Sequence, residues 1–210
     1  MADWVTISSL ATAGGTLVLA VATFSSVRSA NRSARVAERS LLAGQRPLLI
    51  PSKEDDPSEH IRWGDGQTVT VPGHGAAIEF ARGNVYLAIA IRNGGSGLAV
   101  IHGWRAEVAE RTGNDRPEPD SFRRNQRDLY IPAGDTGFWQ GAIRDRDDPT
   151  FEVLRVAAER GDRVLVDLLY GDHEGGQRTI TRFGVSQWPD VEGERAEVLR
   201  YWNVDREDPR

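Results

Sequence analysis

Residues 4–27 contain no charged side chain, and Asp3 and Arg28 bound the run. As a helix rising 1.5 Å per residue, residues 7–27 span roughly 31 Å, the thickness of a bilayer's hydrocarbon core. A helix satisfies its own backbone groups in lipid, where water is absent. Trp4 stands where an interfacial aromatic would stand. A cleaved signal peptide would begin with basic residues, and Met1-Ala2-Asp3 supplies none. The run therefore predicts one transmembrane helix, and the rest of the chain becomes a domain tethered to a membrane.

Flanking charge predicts orientation. Arg28, Arg32, Arg35, Arg39 and Arg46 follow the run, against Glu38 alone. The positive-inside rule places the N-terminus outside and the large domain in the cytoplasm of a single-pass cell-membrane protein. The chain has no cysteine, so redox chemistry offers no independent check. Beyond Arg46 the net charge is −8. A domain this acidic, without a basic cluster, argues against nucleic acid as a partner. Lys53 is the one lysine beside 25 arginines, a ratio that points to a GC-rich genome, as do the many alanines and glycines.

Residues 26–44 hold no proline, so the helix is expected to continue past the membrane until Gly44 and Pro47 stop it. At 100° per residue, Arg28, Arg32, Arg35 and Arg39 share a sector of roughly 60°. Opposite them Val27, Ala30, Ala34, Ala37 and Leu41 recur at spacings of 3 and 4, a heptad seam. Backward in register the seam meets Thr23, Ala20, Thr16, Ala13 and Ser9. Small residues let membrane helices approach closely, so the seam predicts a parallel homo-oligomer; the bland alternative is a monomeric stalk rich in alanine. Arg28 and Arg32 lie close enough to the bilayer to contact anionic headgroups.

After Pro47 the pattern changes to alternation. Strands are expected at 48–50, 67–71 and 84–92, with Val85, Leu87, Ile89 and Ile91 on one face. Asn93-Gly94-Gly95-Ser96-Gly97 reads as a hairpin turn using positive φ, returning along 98–110. Residues 112–126 read as a charged loop, 129–131 and 137–144 as strands, and 149–160 as a helix begun by Pro149 and ended by Gly161. A last hairpin joins 163–170 to 177–185 through a Gly-rich turn, and a strand at 196–204 precedes a charged tail at 206–210. The fold class expected is mainly β with a long N-terminal helix: residues 1–46 as transmembrane and juxtamembrane helix, then 47–205 as an antiparallel β-sandwich of immunoglobulin-like type.

The transmembrane run, the Ala/Arg-rich helix closing on Gln45-Arg46-Pro47-Leu48-Leu49-Ile50, and the segment Ile91-Arg92-Asn93-Gly94-Gly95-Ser96-Gly97-Leu98-Ala99 together resemble uncharacterised membrane-anchored proteins of actinobacteria. The resemblance implies an anchored β-sandwich and brings no activity or catalytic residue with it.

Catalytic signatures do not emerge. Gly94-Gly95-Ser96-Gly97 lacks the Gly-x-Ser-x-Gly spacing of a nucleophile elbow, and no phosphate-loop or dinucleotide fingerprint occurs. His60, His74, His102 and His173 are scattered. Asp172-His173-Glu174 is the densest metal candidate, but neighbours on one turn seldom converge on an ion. Asp145, Asp147 and Asp148 lack calcium-hand spacing and read as the acidic flank of a helix start. Of the tryptophans, 104, 139 and 202 read as core, while Trp63 and Trp188, beside turn residues, read as exposed. The pattern predicts no enzyme, cofactor or metal, but a membrane-tethered interaction or scaffold module with a protein partner. A small-ligand or ion sensor relaying to a helix oligomer is the alternative.

Overall fold

The computed structural model describes residues 3–109, 115–189, 191 and 193–206. The chain divides into two compact units at Gly44/Gln45.

The first unit is one helix, α1 (Trp4–Gly44). Its Ser8–Glu38 stretch is long and apolar enough to cross a membrane, and none of that window is buried within the protein. Leu17 and Phe24 are 68 % and 71 % exposed. An apolar stretch whose described residues are all exposed is unlike the amphipathic helices of soluble domains, which present one stripe to a core. The stretch from Arg28 to Gly44 adds about 26 Å beyond the uncharged run.

The second unit is mainly β: β1 (Leu49–Pro51), β2 (Glu59–Arg62), β3 (Thr68–Val71), β4 (Gly75–Ala81), β5 (Asn84–Asn93), β6 (Ala99–Val108), β7 (Arg123–Ile131), β8 (Thr136–Ile143), β9 (Val164–Gly171), β10 (Thr179–Gln187) and β11 (Glu194–Asn203), with one helix, α2 (Phe151–Arg160). All strand pairs are antiparallel. Nine strands form one curled sheet in the order β1-β5-β4-β11-β10-β9-β6-β7, with β8 added to β5; β2 and β3 make a separate hairpin. An immunoglobulin-like sandwich predicts two separate sheets, whereas these nine strands are hydrogen-bonded into one, eight along a single path and β8 beside β5.

The curl encloses one main core. Val85, Leu87, Ile89 and Ile91 of β5 meet Ile101 and Trp104 of β6, Val166 and Leu168 of β9, Phe183 of β10 and Trp139 of β8. α2 adds the buried Phe151, Leu154 and Ala157. It begins at Phe151, two residues past Pro149, and Gly161 (φ 70°) ends it in the left-handed conformation. On the other face of β5, Tyr86, Ala88 and Ala90 form a second cluster with Ile61, Trp63 and Val71 of the β2–β3 layer. β5 is thus buried on both faces. The small alanines there leave room for a covering hairpin.

The central hairpin expected between β5 and β6 is absent. β5 pairs with β1, β4 and β8, and β6 pairs with β7 and β9. Residues 94–98 form an arch that carries the chain from one side of the core to the other. Its glycines are not at positive φ. They are there because Gln45, Arg46 and Leu48 pass beneath them: a Cβ at Gly95 would stand 2.3 Å from the Arg46 carbonyl oxygen. Gly94 N–H donates to Leu48 O at 2.8 Å and Ser96 N–H to Arg46 O at 3.0 Å. The buried Asn93 accepts from Leu48 and Gly95 N–H and donates to Gly97 O and Ile131 O.

Other differences are local. β2 and β4 fall in segments where no strand was expected. β7 starts at Arg123, inside the stretch expected as a loop, after a 3-10 turn at Pro119–Ser121; residues 112–114 of that stretch, with 110 and 111 before it, lie outside the described residues. So does the expected tail beyond Arg206. The last hairpin is as expected, with Tyr170 opposite Thr179.

Candidate functional site

The seam residues Ser9, Ala13, Thr16, Ala20, Thr23, Val27, Ala30, Ala34, Ala37 and Leu41 all lie on α1 and are exposed, as are Arg28 and Arg32. Thr12 and Thr16 donate their hydroxyls to the carbonyls of Ser8 and Thr12, both at 2.9 Å. The helix itself therefore satisfies these polar groups.

In the β unit, the tryptophans divide almost as expected. Trp104, Trp139 and Trp202 are buried, and Trp188 is 40 % exposed. Trp63 is a correction. It is 2 % exposed because its indole lies edge-on to Tyr86 at 5.0 Å and donates to Gly141 O at 3.1 Å. Asp172, read as a weak metal candidate, instead accepts the N–H groups of Glu174 and Gly176 and closes its own turn. Asp148 pairs with Arg123 and accepts from Thr150 ahead of α2. The Arg123 hydrogen bond holds its carboxyl far below the usual carboxylate range, with burial opposing. Among the described residues, no three His, Asp or Glu side chains are grouped to hold a metal ion.

Two polar sites stand out, and neither was marked in the sequence. The first lies on the outer face of β6, β9 and β10. Register sets Arg105 opposite Asp167, and Asp167 opposite Arg182. Arg182 grips Asp167 with two hydrogen bonds of 2.7 and 2.8 Å, both residues being almost wholly buried. Arg105 lies 3.5 Å from the same carboxylate and pairs with Glu107, which also approaches Arg182 at 3.5 Å. The Arg182 guanidinium lies 5.1 Å over the Trp202 ring. Burial pushes the Asp167 carboxyl up, against the pull of Arg182 and Arg105. The cavity above this network holds about 430 Å3. Its floor is closed on itself, each charge answered by an opposite one, which makes it a device for fixing the sheet.

The second site is a groove of about 550 Å3 between the β2–β3 hairpin and strands β7 and β8. Arg62, Trp63 and Gly64 form one wall; Gln126, Arg127 and Gln140 form the other. The β6–β7 register passes from Gly103–Arg124 to Ile101–Leu129, so residues 125–128 bulge from the ladder. Asn125 pins the bulge inward, donating to Ile101 O at 2.7 Å and accepting from the Trp139 indole at 3.4 Å. Arg127 donates to Gln140 Oε1 at 3.1 Å and lies 5.3 Å over the Phe138 ring. Arg105, Arg123, Arg144, Arg155, Arg163, Arg178 and Arg182 all pair with carboxylates. Among the described residues, Arg62 and Arg127 make no such pair, and no carboxylate lines the groove.

The molecule is thus an antiparallel curled-sheet domain following a single helix long and apolar enough to span a bilayer. No family model, curated protein or solved structure matches it.

Proposed function

We propose that this chain is a membrane-tethered, non-catalytic interaction module. α1 crosses the bilayer with its N-terminus outside and continues as a stalk, and the β domain meets a protein partner in the cytoplasm. The observation that carries this reading is the wholly exposed apolar helix, which no core covers and which a bilayer would. Arg28 and Arg32, just past the span, suit the headgroups of the inner leaflet. The exposed small-residue seam suits a second copy of the helix.

The domain is built to be held from this end. The residues that follow the helix, from Gln45 to Pro51, are fixed into the sheet by the arch at 94–97 and by Tyr170, whose hydroxyl accepts from Leu49 N–H at 3.2 Å. Proximity labelling and pull-down from native cells with the full-length protein test the module. A partner captured from the cytoplasmic side is the expected result, and no capture above that of a bare α1 control overturns the reading. Because the chain lacks cysteine, single cysteines placed before and after α1 report topology directly. Labelling of residue 2 from the cytoplasm would contradict the orientation.

A further inference from the structure

The groove between the β2–β3 hairpin and the β7–β8 edge has a feature that the rest of this acidic domain lacks. Arg62 and Arg127 stand on opposite walls with no carboxylate between them. Both residues are exposed, so the groove presents positive charge to the solvent. The other arginine-lined clefts of the domain also hold acids: Glu107, Asp115 and Glu118 stand beside Arg105, Arg116 and Arg182, and Asp205 beside Arg178.

The groove is also firmly built. The Trp63 indole bonded to Gly141 O locks the hairpin wall to β8. Asn125 locks the base of the bulge that projects Gln126 and Arg127. Phe138 and Gln140 hold the Arg127 guanidinium in place. The amides of Gln126 and Gln140 add donors and acceptors of the kind that match a peptide backbone. Small-molecule pockets are lined mainly by apolar side chains; here Trp63 is the one apolar member and its ring is buried.

We propose that this groove docks an extended, carboxylate-rich segment of a partner protein, with Arg62 and Arg127 clamping its acidic side chains and Gln126 and Gln140 contacting its backbone. The inference rests on the tethered-module reading for the partner being a protein. The net charge of −8 beyond Arg46 disfavours an acidic segment on average, so positive charge in the groove favours this site.

The test uses the full-length protein in detergent micelles and a fluorescent peptide of alternating Glu and Gly, read by anisotropy. Binding that weakens at high salt, and by about tenfold or more in R62E/R127E, is the expected result. R62K/R127K, which keeps the charges, should retain most of the affinity and controls for misfolding, together with an unchanged thermal midpoint. No binding of the peptide overturns the proposal, as does equal binding by wild type and R62E/R127E. Displacement of the peptide by an equal concentration of inorganic phosphate also overturns it, because the site would then read any oxyanion. A native partner still captured by R62E/R127E defeats the groove and leaves the module standing; no native partner for the wild type defeats the module.

Discussion

Gly97 lies directly against the carbonyl oxygen of Gln45: a Cβ at position 97 would stand 1.7 Å from it. The contact joins the first residue after the helical unit to the arch between β5 and β6. No rotamer relieves it, because both sides are backbone. Gly97→Ala should destabilise the β domain by about 2–3 kcal/mol in urea titration monitored by tryptophan fluorescence. A midpoint equal to wild type would show that the arch is not packed as described.

The Asp167–Arg182 pair is buried at both ends. Asp167→Ala removes both short hydrogen bonds from the buried Arg182 guanidinium to Asp167 and should cost about 3–5 kcal/mol. Replacing both, Asp167→Leu with Arg182→Met, removes the guanidinium as well and should cost much less than the sum of the single changes. A double-mutant cycle measures the difference; additive losses would rule out direct coupling.

Asp65 predicts acid sensitivity. Desolvation raises its carboxyl, but hydrogen bonds from the Tyr86 hydroxyl (2.7 Å), Gln67 N–H and Arg144 outweigh that and bring it down to about 2. As pH falls below 3.8, its ordinary value, the unfolded chain takes up this proton before the folded one does. The contribution is therefore complete above that pH and lost on the way down to about 2. Asp65→Asn should lower stability at neutral pH by about 1 kcal/mol, allowing for solvent screening, and flatten this part of the pH–stability curve.

His102 is the extra residue of a bulge in β6, and its Nε2 is buried without a hydrogen-bond partner. Burial, with Arg178 adding to it, lowers its pKa below 6.5, and Asp172 opposes. A lowered histidine favours the neutral form in the folded state. Its contribution is thus present above pH 6.5 and falls as the pH drops from there through the folded value. Thermal midpoints from pH 7.5 to 5 should fall more steeply for wild type than for His102→Gln; parallel curves would show that His102 does not titrate differently on folding.

Leucine at Ala13, Ala20 and Ala34 would bar close approach along the α1 seam. Self-association in a membrane reporter assay should drop severalfold for the triple variant, while leucine on the opposite face leaves it unchanged. Equal association of both variants would refute the seam.

What could be read from the sequence was whatever depends on neighbours along the chain. The alternation of Val85, Leu87, Ile89 and Ile91 placed β5 and its core face, because side-chain period is a local property of a strand. Asp172 to Gly176 marked the β9–β10 turn, because a tight hairpin is closed by its own residues. The Asn93–Gly97 segment defeated the same logic. Glycine signals a turn through positive φ or through close approach, and only the second operates here, against residues some fifty positions earlier. Trp63 was misplaced for a related reason: its burial depends on Gly141 and Tyr86, which no local pattern announces. The two charged sites were invisible too. Asp167 and Arg182 meet only once β9 and β10 are in register, and Arg62, Arg127 and Gln140 come from three separate segments.

The sequence by itself determined a helix long and apolar enough to span a bilayer. The length of such an uncharged run follows from the residue count and the rise per residue, and can be compared with a bilayer's thickness without any tertiary partner. It also determined the β character of the rest, through side-chain alternation and turn residues. Only the tertiary structure decided which strands pair and which charges are answered. Strand pairing depends on how apolar faces close around a shared core, and a charge's environment depends on what the chain brings beside it from far away. That is why Arg182 became a closed structural contact while Arg62 and Arg127, the same residue type, were left facing an open groove.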